Sequence, residues 1–135
     1  MRVAVIAASD RQSDKLRKTT RVVLGELASL GHEAELFSSA DTRISYFNYI
    51  IVCSEPKGMG KALGPRLKEK LSSGGNLVGK RSMALLLKSG FMSQKALGIL
   101  MAAMEGQGMI VTMGEVAASD AEAAAAVRQA PIVRG

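Results

Sequence analysis

Tryptophan is absent from the chain, and only two tyrosines, three phenylalanines, one cysteine and one histidine occur among its 135 residues. A single cysteine, Cys53, excludes an internal disulfide framework and any Cys-based zinc or iron–sulfur cluster. One histidine without a cluster of carboxylates around it gives no metal-ligand pattern. Apolar runs reach only five to seven residues, far short of the ~20 that a membrane-spanning helix needs. The opening Met1-Arg2-Val3-Ala4-Val5-Ile6 lacks the apolar length and cleavage site of a signal peptide, so a soluble, cytoplasmic protein is expected. The length, with 47% hydrophobic residues, fits one domain over residues 1–135 with a core of its own.

Acidic residues are the other shortage. Eighteen Lys and Arg stand against twelve Asp and Glu, a net charge of +6. Such a surplus favours an anionic ligand or an acidic partner and says nothing about fold. It is also uneven. From Lys57 to Lys95 nine basic residues face one acid, Glu69, whereas from Ala96 onward four acids outnumber two arginines.

What is present is an alternation of strand and helix patterns. Val3–Ala8, Tyr49–Cys53, Met83–Leu87 and Met109–Met113 are continuous apolar runs, as expected for strands buried on both faces of a parallel sheet. In Glu33–Phe37 charges alternate with apolar residues, which predicts a half-exposed edge strand. Leu16, Thr20, Val23, Leu27 and Leu30 recur at helical spacing, with Gly31 placed as a left-handed C-cap. Leu63, Leu67 and Leu71 mark a second stripe, with Pro65 in its first turn and Gly74-Gly75 beyond its end. Ser93 can N-cap a helix carrying Leu97, Leu100, Met101 and Met104, stopped by Gly106 and Gly108. Ser119-Asp120-Ala121-Glu122 is a capping box opening an Ala-rich last helix.

This order predicts an α/β fold: a three-layer sandwich around a five-stranded parallel sheet with right-handed crossovers. The stretch from Ser38 to Asn48 must hold a short helix or an irregular crossover, because parallel strands cannot be joined by a tight turn. With the alternating second strand at an edge and the first inside, the strand order is 2-1-3-4-5. Ligands in such sheets bind beyond the carboxyl ends of the strands, where the order reverses, here between strands 1 and 3. Three loops meet there: Ser9 to Lys15, Ser54 to Lys61 and Lys88 to Lys95. Each carries basic residues and leads into a helix N-terminus, whose N–H groups and dipole favour an anion.

At these loops the chain resembles flavodoxin-like and NADPH-dependent FMN-reductase-like proteins. The resemblance rests on the first strand with Ser9-Asp10-Arg11-Gln12-Ser13-Asp14-Lys15, on Ser54-Glu55-Pro56-Lys57-Gly58-Met59-Gly60-Lys61, and on Met83 to Val111 with Lys88-Ser89-Gly90-Phe91 inside it. It implies FMN as cofactor. Ser9, Arg11, Ser13 and Lys15 would hold its phosphate, and Lys57, Gly58, Met59, Ser89, Gly90 and Phe91 would flank its ring. The chain departs from the family in a phosphate loop without glycine, where backbone N–H groups cannot curl tightly around an anion. Arg11 and Lys15 would compensate by side-chain charge. The chain is also basic where flavodoxins proper are acidic.

Two functions are compatible with these residues. One is an FMN-binding electron carrier or flavin-dependent reductase, in which the flavin carries the chemistry and no protein acid or base is required. The other is a flavin-free binding or assembly module that uses the basic edge for a phosphate ligand or an acidic protein partner; an acidic redox partner would go with the first function. Homodimerisation fits either. Nucleic acid ranks below both, since the basic residues lack interleaved aromatics.

Other motifs read as structure. Gly74-Gly75-Asn76-Leu77-Val78-Gly79-Lys80 nearly matches a phosphate-binding P-loop, but Arg81 stands where Ser or Thr is needed and a strand follows in place of a helix. Cys53 is expected to be an inert buried thiol, Phe91 reads first as a loop anchor covering the core and second as a flavin platform, and the methionines suit adaptable core filling. His32 follows the first helix and so belongs at the edge away from the proposed site.

Overall fold

The computed structural model describes residues 1–8, 13–56, 69, 71–72, 76–88 and 93–132. Five strands, β1 (Arg2–Ala7), β2 (Glu33–Phe37), β3 (Tyr49–Ser54), β4 (Arg81–Leu87) and β5 (Ile110–Ala117), form one sheet in the order β2-β1-β3-β4-β5. Every adjacent pair is parallel. Helix α1 (Asp14–Ser29) and helix α3 (Asp120–Gln129) cover one face, and helix α2 (Ser93–Gly106) covers the other.

The two-faced burial follows from the apolar runs. Successive side chains of a strand point to opposite faces, so Val3, Val5, Tyr49, Ile51, Met83 and Leu85 pack under Leu16, Val23, Leu27 and Val127. Ala4, Ile6, Ile50, Val52, Ala84 and Leu86 pack against Leu97, Leu100 and Met104. Strand β2 is the edge that its alternation predicts, and Phe37 is its one buried residue. The crossover after it contains a 3₁₀ helix (Thr42–Tyr46), capped by Asp41, whose Oδ1 accepts from Arg43 N at 2.8 Å.

Strand β5 differs from the expectation of a doubly buried run. It continues to Ala117, lies at the opposite edge and exposes Ile110 and Glu115. Its register slips between Ser82 and Met83, which pair with Val111 and Met113. Thr112 is therefore a bulge residue, a feature that twists and blunts an edge. Thr112 Oγ1 donates to Ser82 O at 2.8 Å, which leaves the Tyr49 hydroxyl to donate to Thr112 Oγ1 at 2.8 Å.

Helix ends show the capping chemistry in detail. Gly31, at φ +87°, ends α1 with His32 N bonded to Leu27 O and Gly31 N to Ala28 O, the pairing of a Schellman motif. Leu30, expected on the buried stripe, is exposed; Thr19 is buried in addition, its hydroxyl donating to Asp120 Oδ1 at 2.8 Å. Ser119 caps α3 by accepting from Glu122 N at 3.2 Å. Ser93 is the first residue of α2 and not its cap, and its buried Oγ has no hydrogen-bond partner among the described residues. Of the stripe Leu63, Leu67 and Leu71, only Leu71 falls within the described residues; it is helical and fully buried.

Candidate functional site

The strand order reverses between β1 and β3, and the carboxyl ends of those strands are tied directly. Ala8 N donates to Cys53 O at 2.8 Å, and Ser54 Oγ donates to Ala8 O at 2.6 Å. Ser54 is wholly buried, so this hydroxyl serves the backbone at the floor of the crevice. Beside it begins α1. Ser13 is its N-cap, with Oγ accepting from Leu16 N at 3.0 Å. A hydroxyl that accepts still has its proton to donate, and the first-turn N–H groups of Asp14 and Lys15 have no acceptor within the helix itself.

Lys15 extends from this turn to the end of β4, where its Nζ donates to Lys88 O at 2.6 Å. Lys88 N in turn donates to Ala117 O at 2.9 Å. One ammonium thus links the first turn of α1 to the carboxyl end of β4. An ammonium has three donors, so this bond leaves two for another acceptor. Lys15, Lys88 and Lys95 are all exposed. Asp14 opposes this positive charge from within the first turn, but its carboxylate lies 3.5 Å from Arg17 Nη1.

Of the residues predicted for the site, the structure brings Ser13 and Lys15 to the switch point. Ser9, Arg11, Lys57, Gly58, Met59, Ser89, Gly90 and Phe91 lie outside the described residues. Sequence reasoning missed Ser54 as the tie between strand ends and Lys88 O as the anchor of Lys15. A serine ending a buried apolar run was the one available signal for the first. The second joins residues 73 apart and leaves no local trace.

Cys53, next to last in β3, has no exposed surface, and burial raises the pKa of its thiol to about 12. A thiol so placed carries little thiolate at neutral pH, the form that acts as a nucleophile. His32 is at the far end of the sheet, with its pKa lowered by burial and by the nearby N-terminal amine. No group of His, Cys, Asp and Glu fit to hold a metal occurs among the described residues. Lys80, the lysine of the P-loop look-alike, precedes β4 and donates to Ser45 O and Phe47 O, both at 2.8 Å. It closes the 3₁₀ crossover and has no part in the switch-point crevice.

No family model matches the sequence, and no curated protein matches it. Solved structures do. Oxidised flavodoxin 2 from Bacillus cereus aligns over 96% of this chain and 99% of its own, with a TM-score of 0.68 at 17% identity. A short-chain flavodoxin associated with a non-canonical PDU bacterial microcompartment aligns over 95% of both chains, with a TM-score of 0.68 at 13% identity. A Fusobacterium nucleatum flavodoxin bound to flavin mononucleotide also covers 95% of both, with a TM-score of 0.61 at 8% identity. Strand order, parallel pairing and near-complete overlap agree: the chain is a divergent example of the flavodoxin-like fold.

Proposed function

We propose that the protein binds FMN, or a related phosphate-bearing anion, at the carboxyl edge of its sheet and acts in electron transfer or flavin-dependent reduction. The observation that carries this reading is the meeting of α1's N-terminus and the Lys15 ammonium at the β1/β3 switch point. The fold supports it, since one of its structural neighbours is a flavodoxin bound to flavin mononucleotide. The donor set fits a phosphate: first-turn N–H groups, the Ser13 hydroxyl and a lysine ammonium supply hydrogen bonds and positive charge. Ser9 and Arg11 complete that set in this proposal. Lys57, Gly58 and Met59, with Ser89, Gly90 and Phe91, would border the ring. The flavin, when bound, supplies the electron chemistry. The chain positions it and provides a field in which Lys15 and Lys88 favour added negative charge, so a bound flavin is expected to be easier to reduce here than at an acidic edge.

Purified protein mixed with FMN and then desalted should retain the visible absorption bands of the flavin. Loss of all flavin on desalting would count against the proposal. One observation favours a second reading, a flavin-free binding module: the Ser9 to Lys15 segment contains no glycine. On that reading inorganic phosphate, or an acidic protein acting as partner, would bind at the same edge. Binding would fall when Arg11 and Lys15 are replaced together, with no flavin affinity in either protein.

A further inference from the structure

Helix α2 presents an outer face unlike an ordinary solvated one. Ala96, Leu97, Leu100, Ala103 and Met104 face the sheet and are buried. The opposite side exposes Lys95, Gly98, Ala102 and Glu105, with half-buried Ile99 and Met101 at its flanks. No charged residue lies between Lys95 and Glu105. Neither of these two has an ion-pair partner among the described residues. A Cβ added at Gly98 would meet no atom within 4 Å. Glycine weakens a helix interior, and among the described residues nothing packs against this one.

The charges on this face are arranged as a palindrome about Leu100. Lys95 and Glu105 are each five residues away, about 7.5 Å along the axis at ~1.5 Å per residue. Gly98 and Ala102 are each two residues away, and Ile99 and Met101 each one. We propose that this face receives a second copy of the chain, two α2 helices packing antiparallel across a two-fold axis level with Leu100. That symmetry puts each Lys95 at the height of the other copy's Glu105 and sets Gly98 opposite Ala102, so small residues meet where the axes come closest. A parallel arrangement would set lysine against lysine and glutamate against glutamate, and the charges therefore select the antiparallel one. The balance matters because each copy carries +6: two like-charged molecules approach most readily where the local charge cancels. A contact limited to one helix face is at the small end of specific interfaces, so the dimer is weak and depends on concentration.

Sedimentation equilibrium at physiological salt, from micromolar to millimolar protein, tests this. Wild type should associate to a dimer. Lys95→Glu and Glu105→Lys should each weaken association roughly tenfold or more, and the double variant should return to wild-type association because the pairs re-form with reversed signs. Gly98→Leu, which adds bulk on open surface, should abolish association while leaving the circular dichroism of the fold unchanged. A wild type that stays monomeric throughout would overturn the proposal. So would a dimer indifferent to both single reversals, or a double variant no better than the singles.

Discussion

At the scale of single residues, the fold's demands are most visible where one position has no substitute. Gly31 holds φ +87° at the end of α1, a conformation in which a side chain meets the backbone. Gly31→Ala should lower stability by about 1–2 kcal/mol, measured by urea denaturation. Cys53 was legible in the sequence as an inert buried thiol, and its rise to about 12 through desolvation makes the expectation quantitative. A thiol reagent should leave it unmodified in native protein and react at once in denaturant. The bulge at Thr112 was not legible. Its stabilising partners are a tyrosine 63 residues away and the Ser82 carbonyl, and an apolar run gives no hint of a one-residue slip. His32 gives a pH-dependent term whose sign is fixed by its lowered pKa. The unfolded chain takes up the proton first, so stability falls as pH drops from its ordinary value near 6.5 toward the lowered folded value. His32→Gln should flatten that part of the stability profile, measured as denaturant midpoint against pH.

At the scale of elements, the strands were readable because burial on both faces demands unbroken apolar sequence, and α1 because its stripe is long. Edges were harder. The alternation in Glu33–Phe37 gave β2 away, whereas β5 hides its edge position behind Val111 and Met113, which pack partly against both cores. Leu30 matched the helical stripe yet is exposed; it stands at the C-cap, where the helical spacing ends. Thr19 takes a buried place instead because Asp120, on α3, waits across the interface to accept its hydroxyl proton. Helices α1 and α3 are joined again by Arg128 and Glu26 at 3.0 Å. The Ser119 N-cap of α3 was legible and has a measurable share in this packing. Ser119→Ala removes the acceptor for Glu122 N and should cost about 1 kcal/mol, read as a lowered thermal midpoint.

At the scale of the whole molecule, the uneven charge acquires a location. Lys15, Lys88 and Lys95 are exposed at or just beyond the carboxyl edge, and the tie between Lys15 and Lys88 O spans that edge from α1 to β4. Of the basic residues that sequence assigned to the three loops, Lys88 follows β4 while Lys15 and Lys95 stand in the first turns of α1 and α2, and Arg11, Lys57 and Lys61 lie outside the described residues. Sequence could not show that Lys15 reaches β4, which depends on how distant segments meet. Titration of FMN against the protein, followed by the flavin's own fluorescence, tests the central claim most directly, with riboflavin as the phosphate-free control and Lys15→Met as the variant. Saturable binding of FMN, weaker binding of riboflavin, and an FMN affinity in the variant reduced toward that of riboflavin are expected. No change in fluorescence with FMN, or equal affinity for FMN and riboflavin in both proteins, would contradict the claim.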